Sequence, residues 1–364
     1  MAPPAGRAYD CCMARSFSDR TEAVLDRALD ALHQTDDEFD EPPFTGLSNH
    51  GPMATEALVA MGQAEAVPAF LAAYVPRLRP WSEGRPIAVE ARHAALGDPA
   101  RAADWVATYA EMLARESPAV VVARELPRLA EGTVAAALHG LIRTGHALRA
   151  LARVDTPARR LELAHGLGHF AANHQLLPGR LGAHGVKGRD AVAALRDLPH
   201  MTAASRSGLI SDRVKAVFGL AGFADAVESI DLDARSFDDT ITALVDASAE
   251  LYLSTPAGRF VYLHGVTGTS MLRIIGPWLD ESGRRALLRG TVHALAALHA
   301  THADDGSRVD APHPRIELDP AIAAADAARS LDDHTIKLVE ALLREHEVAP
   351  RSVLLHMARH RLSA

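Results

Sequence analysis

Histidine occurs in this chain where it is hardest to accommodate. Nineteen are present, and several lie inside long Ala/Leu-rich stretches: LSNHGPMATEAL, AALHGLIRTGHALRAL, ELAHGLGHFAANH, FVYLHGVTGTSMLR and DDHTIKLVEAL. A histidine on an apolar helix face has two ring nitrogens to satisfy away from water. A group of them therefore points to metal ligation or to an internal polar network, and the pattern as a whole to a helical, metal-dependent redox enzyme.

The 364 residues can bury a large core, and 48% hydrophobic with 23% charged residues is ordinary for a soluble globule. Ala, Leu, Arg and Glu dominate while β-branched clusters of alternating polarity are scarce, so the expected fold class is all-α. Helices are expected over 20–34, 53–63, 99–115, 131–152, 157–174, 210–222, 237–253, 260–275, 282–302, 317–328 and 333–347. Start signals such as Asp155-Thr156-Pro157, Asp98-Pro99 and Asp319-Pro320 mark several of them. No long linker and no fixed-period repeat interrupts the chain, which gives one compact domain over 20–364 behind a flexible segment 1–19. Glycine recurs at Gly179, Gly182, Gly185 and Gly188 without the strand and helix of a phosphate-binding motif, which reads as a flexible loop.

A net charge of -8 and no Lys/Arg-rich run argue against nucleic acid as a partner. The two cysteines, Cys11 and Cys12, are adjacent and supply neither a disulfide framework nor a thiolate zinc site. No signal-peptide pattern and no window of about 20 apolar residues is present, so a cytoplasmic protein without a membrane span is expected.

Spacing sorts the histidines. His139 and His146 lie two turns apart on one face, too far along the axis to share an ion easily. His165 and His169 are four apart and suitably placed for shared ligation, although Gly166 and Gly168 suggest close helix packing instead. His334 and Lys337 share a side of a helix opened by Asp332 and Asp333. Ile336, Leu338 and Val339 surround that lysine, which must be paired, neutral or chemically altered if buried. His50 precedes a helix in a Gly/Pro-fixed loop, and His264 is flanked by small residues. His293, His299 and His302 read as surface or rim residues. For a carboxylate ligand, Glu56 and Glu162 are the main candidates. With no GxSxG elbow and no histidine beside the cysteine pair, an acyl-transfer nucleophile is unsupported.

Taken in order, NHGPMATEAL, LHGLIRTGHALRAL, ELAHGLGHFAA, LHGVTG and DHTIKL resemble the questin oxidase-like family of fungal polyketide-tailoring oxygenases and bacterial relatives, over about Arg20 to His346. The resemblance implies oxidative cleavage of an aromatic polyketide such as an anthraquinone, with O2 as co-substrate. It also implies a metal set of His50, His139, His264, His334 and Lys337. No flavin or NADPH motif is evident, so non-haem Fe(II) is the expected oxygen activator. Arg143 stands where fungal relatives have histidine and His146 where they have tyrosine. Either is a candidate catalytic residue that pairs with the ionised oxygen of the substrate. A protonated lysine cannot coordinate a cation, whereas a carboxylated Lys337 would supply the missing anionic oxygen. Alternatives are a flavin- or NADPH-dependent Baeyer–Villiger-type oxidation and a helical protein that binds a hydrophobic ligand without chemistry. Oligomeric state is open.

Overall fold

A computed structural model describes residues 17–39, 45–182, 188–201, 209–302 and 316–364. Cys11, Cys12, Gly185 and nearly all of the expected flexible segment lie outside these residues. Thirteen α-helices of eight or more residues carry the described fold: α1 Asp19–Leu32, α2 Gly51–Ala60, α3 Val67–Tyr74, α4 Ala102–Arg115, α5 Pro118–Leu129, α6 His139–Arg153, α7 Pro157–Ala172, α8 Phe237–Ser254, α9 Arg259–Ile275, α10 Glu281–His302, α11 Pro320–Ser330, α12 Asp333–Val348 and α13 Ser352–Leu362. No described helix is long and apolar enough to cross a membrane.

Capping chemistry fixes several starts. Ser18 accepts from the Thr21 amide at α1, Thr156 from Arg159 at α7, with Pro157 in the first helical position, and Asp332 from Thr335 at α12. Each satisfies an amide that has no carbonyl partner inside the helix.

Helices α3 Val67–Tyr74 and α13 Ser352–Leu362 have no counterpart among the expected ones, and three further corrections bear on the fold. Helix α5, PAVVVARELPRL, was not anticipated, because its valine run lacks a helical signature until Pro118 at its first position is taken as a start. The expected helix 210–222 shrinks to one turn, Ile210–Arg213, followed by a 3-10 segment Val214–Gly219. The third correction matters most. Helix α6 begins at His139 instead of 131, because Ala136, Ala137 and Leu138 adopt φ of 44°, 57° and 71°. Non-glycine residues avoid this left-handed region at roughly 1–2 kcal/mol each, so tertiary packing overrides a helix-favouring Ala-rich sequence here.

What holds that turn is close approach on both sides. A Cβ on Gly268 of α9 would meet the Leu138 side chain at 2.8 Å, and one on Gly290 of α10 would overlap the Ala130 carbonyl. Both glycines let helices press on the 130–138 segment.

Helices α2, α6, α9 and α12 close a ring in which each touches the next: α2 with α6, α6 with α9, α9 with α12, and α12 with α2. Helix α7 packs outside α6, α4 outside α7, and α8 outside α9. A small antiparallel sheet, in the order β2 (Thr45–Leu47), β1 (Thr35–Phe39), β3 (Leu78–Pro80), closes one end. Its register pairs Glu38 of β1 with Leu47 and with Leu78, beside the entries to α2 and β3. Two-residue strands β4 (Arg189–Asp190) and β5 (Ile230–Asp231) pair in parallel elsewhere.

Replacing Gly290 with alanine must push α10 off the 130–138 turn. We expect Gly290→Ala to lower unfolding free energy by about 1–3 kcal/mol in a denaturant titration; unchanged stability would show that the helix and turn are not held this tightly.

Candidate metal centre

Four histidines converge, one from each helix of the ring. His50 is the N-cap residue of α2, His139 the first residue of α6, His334 the second of α12, and His264 the sixth of α9. Their ring centroids lie 4.7 Å apart for His50 and His139, 4.8 Å for His139 and His264, 5.4 Å for His264 and His334, and 4.6 Å for His334 and His50.

Each ring has an oxygen close to Nδ1, and at His50, His139 and His264 that contact is a hydrogen bond. His50 Nδ1 lies 2.5 Å from Glu38 Oε1, His139 Nδ1 2.5 Å from the Ala136 carbonyl, and His264 Nδ1 2.7 Å from the Phe260 carbonyl. His334 Nδ1 lies 2.7 Å from Asp333 Oδ1. An oxygen at Nδ1 holds the proton there and leaves the Nε2 lone pair for another partner, the outer-shell arrangement of metal-binding imidazoles. The partner of His139 is the carbonyl at the head of the left-handed turn, so the strained backbone aims this ring.

Two of the Nε2 atoms face one another. His50 Nε2 and His139 Nε2 are 2.8 Å apart, while Nε2 of His264 and of His334 are buried with no hydrogen-bond partner among the described residues. Two lone pairs at such a distance repel unless a proton or cation lies between them, and two nitrogens bound at right angles to one ion at ~2.1 Å sit about 3 Å apart. Candidate ligand atoms of His50, His139 and His334 all fall within 4.8 Å of one another, a group that does not include His264, whose ring lies alongside. The donor set fits a divalent transition metal, for which imidazole suits iron, zinc, copper and nickel.

Two carboxylates adjoin the cluster, and together with His50 they form a second group of possible ligands. Glu38 accepts from His50, from the Tyr74 hydroxyl and, at 2.8 Å, from Arg77 Nη2. Asp333 lies near His334, His50, Arg77 and Lys337, the last at 3.8 Å from Nζ. Burial would raise both carboxyls, but His50 with Tyr74 at Glu38, and His50, His334 and Lys337 at Asp333, outweigh it and leave both below the usual carboxylate range. Burial acts oppositely on the bases. It holds His139 and His264 well below the usual imidazole range, takes His334 to about 4 and Lys337 to about 8. Neutral imidazoles can ligate, and Lys337 is only 2% exposed.

The acidic partners are not the expected ones. Glu56 and Glu162 belong to other networks, and the carboxylates beside the histidines are Glu38 and Asp333, which spacing gave no reason to choose. Glu38 ends an acidic run, Asp36-Asp37-Glu38, that looks solvated until the sheet turns it inward. Asp333, expected only as one of the two residues that open α12, is 2% exposed.

The remaining expected residues occupy neighbouring layers. Arg143 sits one turn beyond His139, its Nε and Nη2 donating to Glu162 Oε1 and Oε2 at 2.7 and 3.0 Å. Glu162 also contacts His33, which stacks on His165 at 4.8 Å, and the Trp81 ring lies tilted against His165 at 4.7 Å. His169 bonds Ser48 at 3.0 Å. His165 and His169 therefore line an aromatic and polar wall instead of joining the four. His146 lies farther along α6, its Nδ1 2.7 Å from Glu56 Oε2, in a layer with Arg149 and Glu340. His299 and His302, expected at the rim, are buried, because α10 packs against α9, α5 and the 130–132 turn.

No family model and no curated protein matches this chain.

Removing a support should weaken the site without removing a ligand. Glu38→Gln is expected to lower divalent-metal affinity about 10–100-fold, measured by competition with a coloured chelator. His264→Ala should bind far more weakly still, and parent-like affinity in either variant would exclude these rings as the site. The buried layer below has its own signature. Burial raises Glu340, but Arg149 and Arg344 outweigh it and bring it to about 2, against an ordinary 4.5. Its stabilisation is present above pH 4.5 and lost as pH falls toward 2. Glu340→Gln should flatten the decline in unfolding free energy across that window.

Proposed function

We propose that this protein is a non-haem-iron oxygenase that cleaves or oxidises an electron-rich aromatic polyketide of the anthraquinone type. The observation that carries the reading is the buried convergence of four imidazoles, one per helix, three of which offer ligand atoms within 4.8 Å of one another. The ordered resemblance to the questin oxidase-like family supports it and supplies the substrate class.

Bound iron would supply the redox centre at which dioxygen is activated for attack on the ring. The chain's own groups do the rest. Glu38 and Asp333 place two negative charges beside a dication held by neutral ligands, which offsets the cost of burying it. They also offset the partial positive charge of about 0.5 at each of three helix N-termini, those of α2, α6 and α12. Phe260, half-exposed, sets its ring 5.0 Å from those of both His264 and His334 and shields that side from water. Arg143, locked by Glu162, is the cation proposed to face an ionised substrate oxygen. His146, tied to Glu56, enters as the alternative partner from the layer below.

Lys337 fits a further role within this reading. Lowered to about 8, it has an appreciable neutral fraction near neutral pH. A neutral amine adds CO2 and releases one proton to give a carbamate, an anionic oxygen donor beside His334. Intact mass under non-acidic conditions is expected to show one added CO2, and Lys337→Ala to lose both that mass and iron. An unmodified lysine in the iron-loaded protein would end this role.

The activity is tested with iron-reconstituted protein and a hydroxyanthraquinone. Turnover in air with consumption of O2, absent under anaerobic conditions and in the His264→Ala variant, is expected. Equal product formation without oxygen or without iron would reject the proposal.

A further inference from the structure

Outside the ring of histidines, one side chain touches both of the carboxylates that adjoin it. Arg77 ends the 3-10 turn Val75–Arg77 that leads from α3 into β3. Its Nη2 donates to Glu38 Oε2 at 2.8 Å and its Nη1 to Asp333 Oδ2 at 3.4 Å. The other oxygen of each carboxylate faces an imidazole: Glu38 Oε1 lies 2.5 Å from His50 Nδ1, and Asp333 Oδ1 lies 2.7 Å from His334 Nδ1. One guanidinium thus stands behind two separate carboxylate–imidazole contacts.

Tyr74 holds Arg77 from a third side. The guanidinium carbon lies 5.1 Å from the centroid of the Tyr74 ring, a cation–π distance. The hydroxyl of the same tyrosine donates to Glu38 and accepts from the His50 amide at 2.5 Å. Lys337 Nζ, 3.8 Å from Asp333 Oδ1, bears on the oxygen that faces the ring, whereas Arg77 takes the outer oxygens of both groups.

Side-chain exposure is 49% for Arg77 and 3% for each carboxylate. A half-exposed ion pair contributes little to folding, so stability does not account for this placement. Its effect on the rings is larger, because the carboxylates that carry it are out of water. A carboxylate at Nδ1 pulls on the ring proton and makes Nε2 a stronger donor to a metal. A guanidinium on the far oxygens draws the carboxylate charge outward and moderates that pull. Its planar fork also spans groups from two different elements, β1 and α12, which a point charge does less well.

We propose that Arg77 is a positioning residue of the metal centre. Acting through Glu38 and Asp333, its charge limits how strongly His50 and His334 donate to a bound metal, and so favours the lower oxidation state of iron. The inference rests on the iron centre of the function proposed above, not on its substrate.

The Fe(III)/Fe(II) potential of iron-loaded parent, Arg77→Gln and Arg77→Lys proteins, measured by dye-equilibrated titration, tests it. One unit charge acting over roughly 10 Å at an effective dielectric of about 20 changes an equilibrium about tenfold. Arg77→Gln should therefore favour ferric iron about tenfold, a fall of about 59 mV in potential. Arg77→Lys keeps the charge and should stay close to the parent. In a Glu38→Gln background, which removes one of the two carboxylates in between, Arg77→Gln should shift the potential less than it does in the parent. An unchanged or raised potential in Arg77→Gln, an equal fall in Arg77→Lys, or full additivity with Glu38→Gln each overturns the proposal, as does a parent that binds no iron. A fall in potential without turnover of the hydroxyanthraquinone would sink only the oxygenase function. Turnover with the potential unmoved would sink only the role of Arg77.

Discussion

The arrangement depends on one repeated contact, an oxygen held against Nδ1 of each clustered histidine. Without it the four rings could rotate, exchange tautomers and satisfy one another, as a buried histidine cluster ordinarily would. With it, the Nε2 lone pairs of His50 and His139 are turned toward each other across 2.8 Å, which only a proton or a cation makes favourable, and His334 offers a third ligand atom beside them. The oxygens come from different kinds of structure: a strand carboxylate, a left-handed turn, a helix carbonyl and a helix-start aspartate. The small sheet exists in this frame to carry Glu38, and the glycines at 268 and 290 to hold the turn at 136–138 in place.

Below the histidines the ring of helices does not become apolar. Glu56, His146, Arg149 and Glu340 form one layer, and Arg344, Glu345, Ser270 and Arg273 the next. Buried ion pairs of this kind add little net stability relative to apolar packing, but breaking one leaves an uncompensated charge. They therefore penalise any slip of α2, α6, α9 and α12 past one another, which would misplace the rings above.

Much of this was legible in the sequence, and the reasons for the rest are physical. His50, His139, His264 and His334 stood out because imidazoles in Ala/Leu-rich helices have few uses, and the structure brings all four together with Lys337 buried alongside. The helical class followed from composition. Glu38 and Asp333 escaped because acidic residues in a run or at a helix start have a sufficient explanation in solvent. The left-handed turn escaped because Ala136 and Ala137 favour helix, and only the pressure of α9 and α10 overrides that preference. His299 and His302 were misplaced because periodicity identifies a polar face but not whether another helix covers it.

The four ring-bearing segments span residues 50 to 334. An ion held by the rings of α2, α6 and α12 would be a cross-link over most of the polypeptide, closing loops far longer than most disulfides do. Apoprotein and holoprotein should thus differ in cooperativity. Without such an ion, α12 and the 136–138 turn would be free to open separately, and the chain's maturation would become a matter of metal supply as much as of folding.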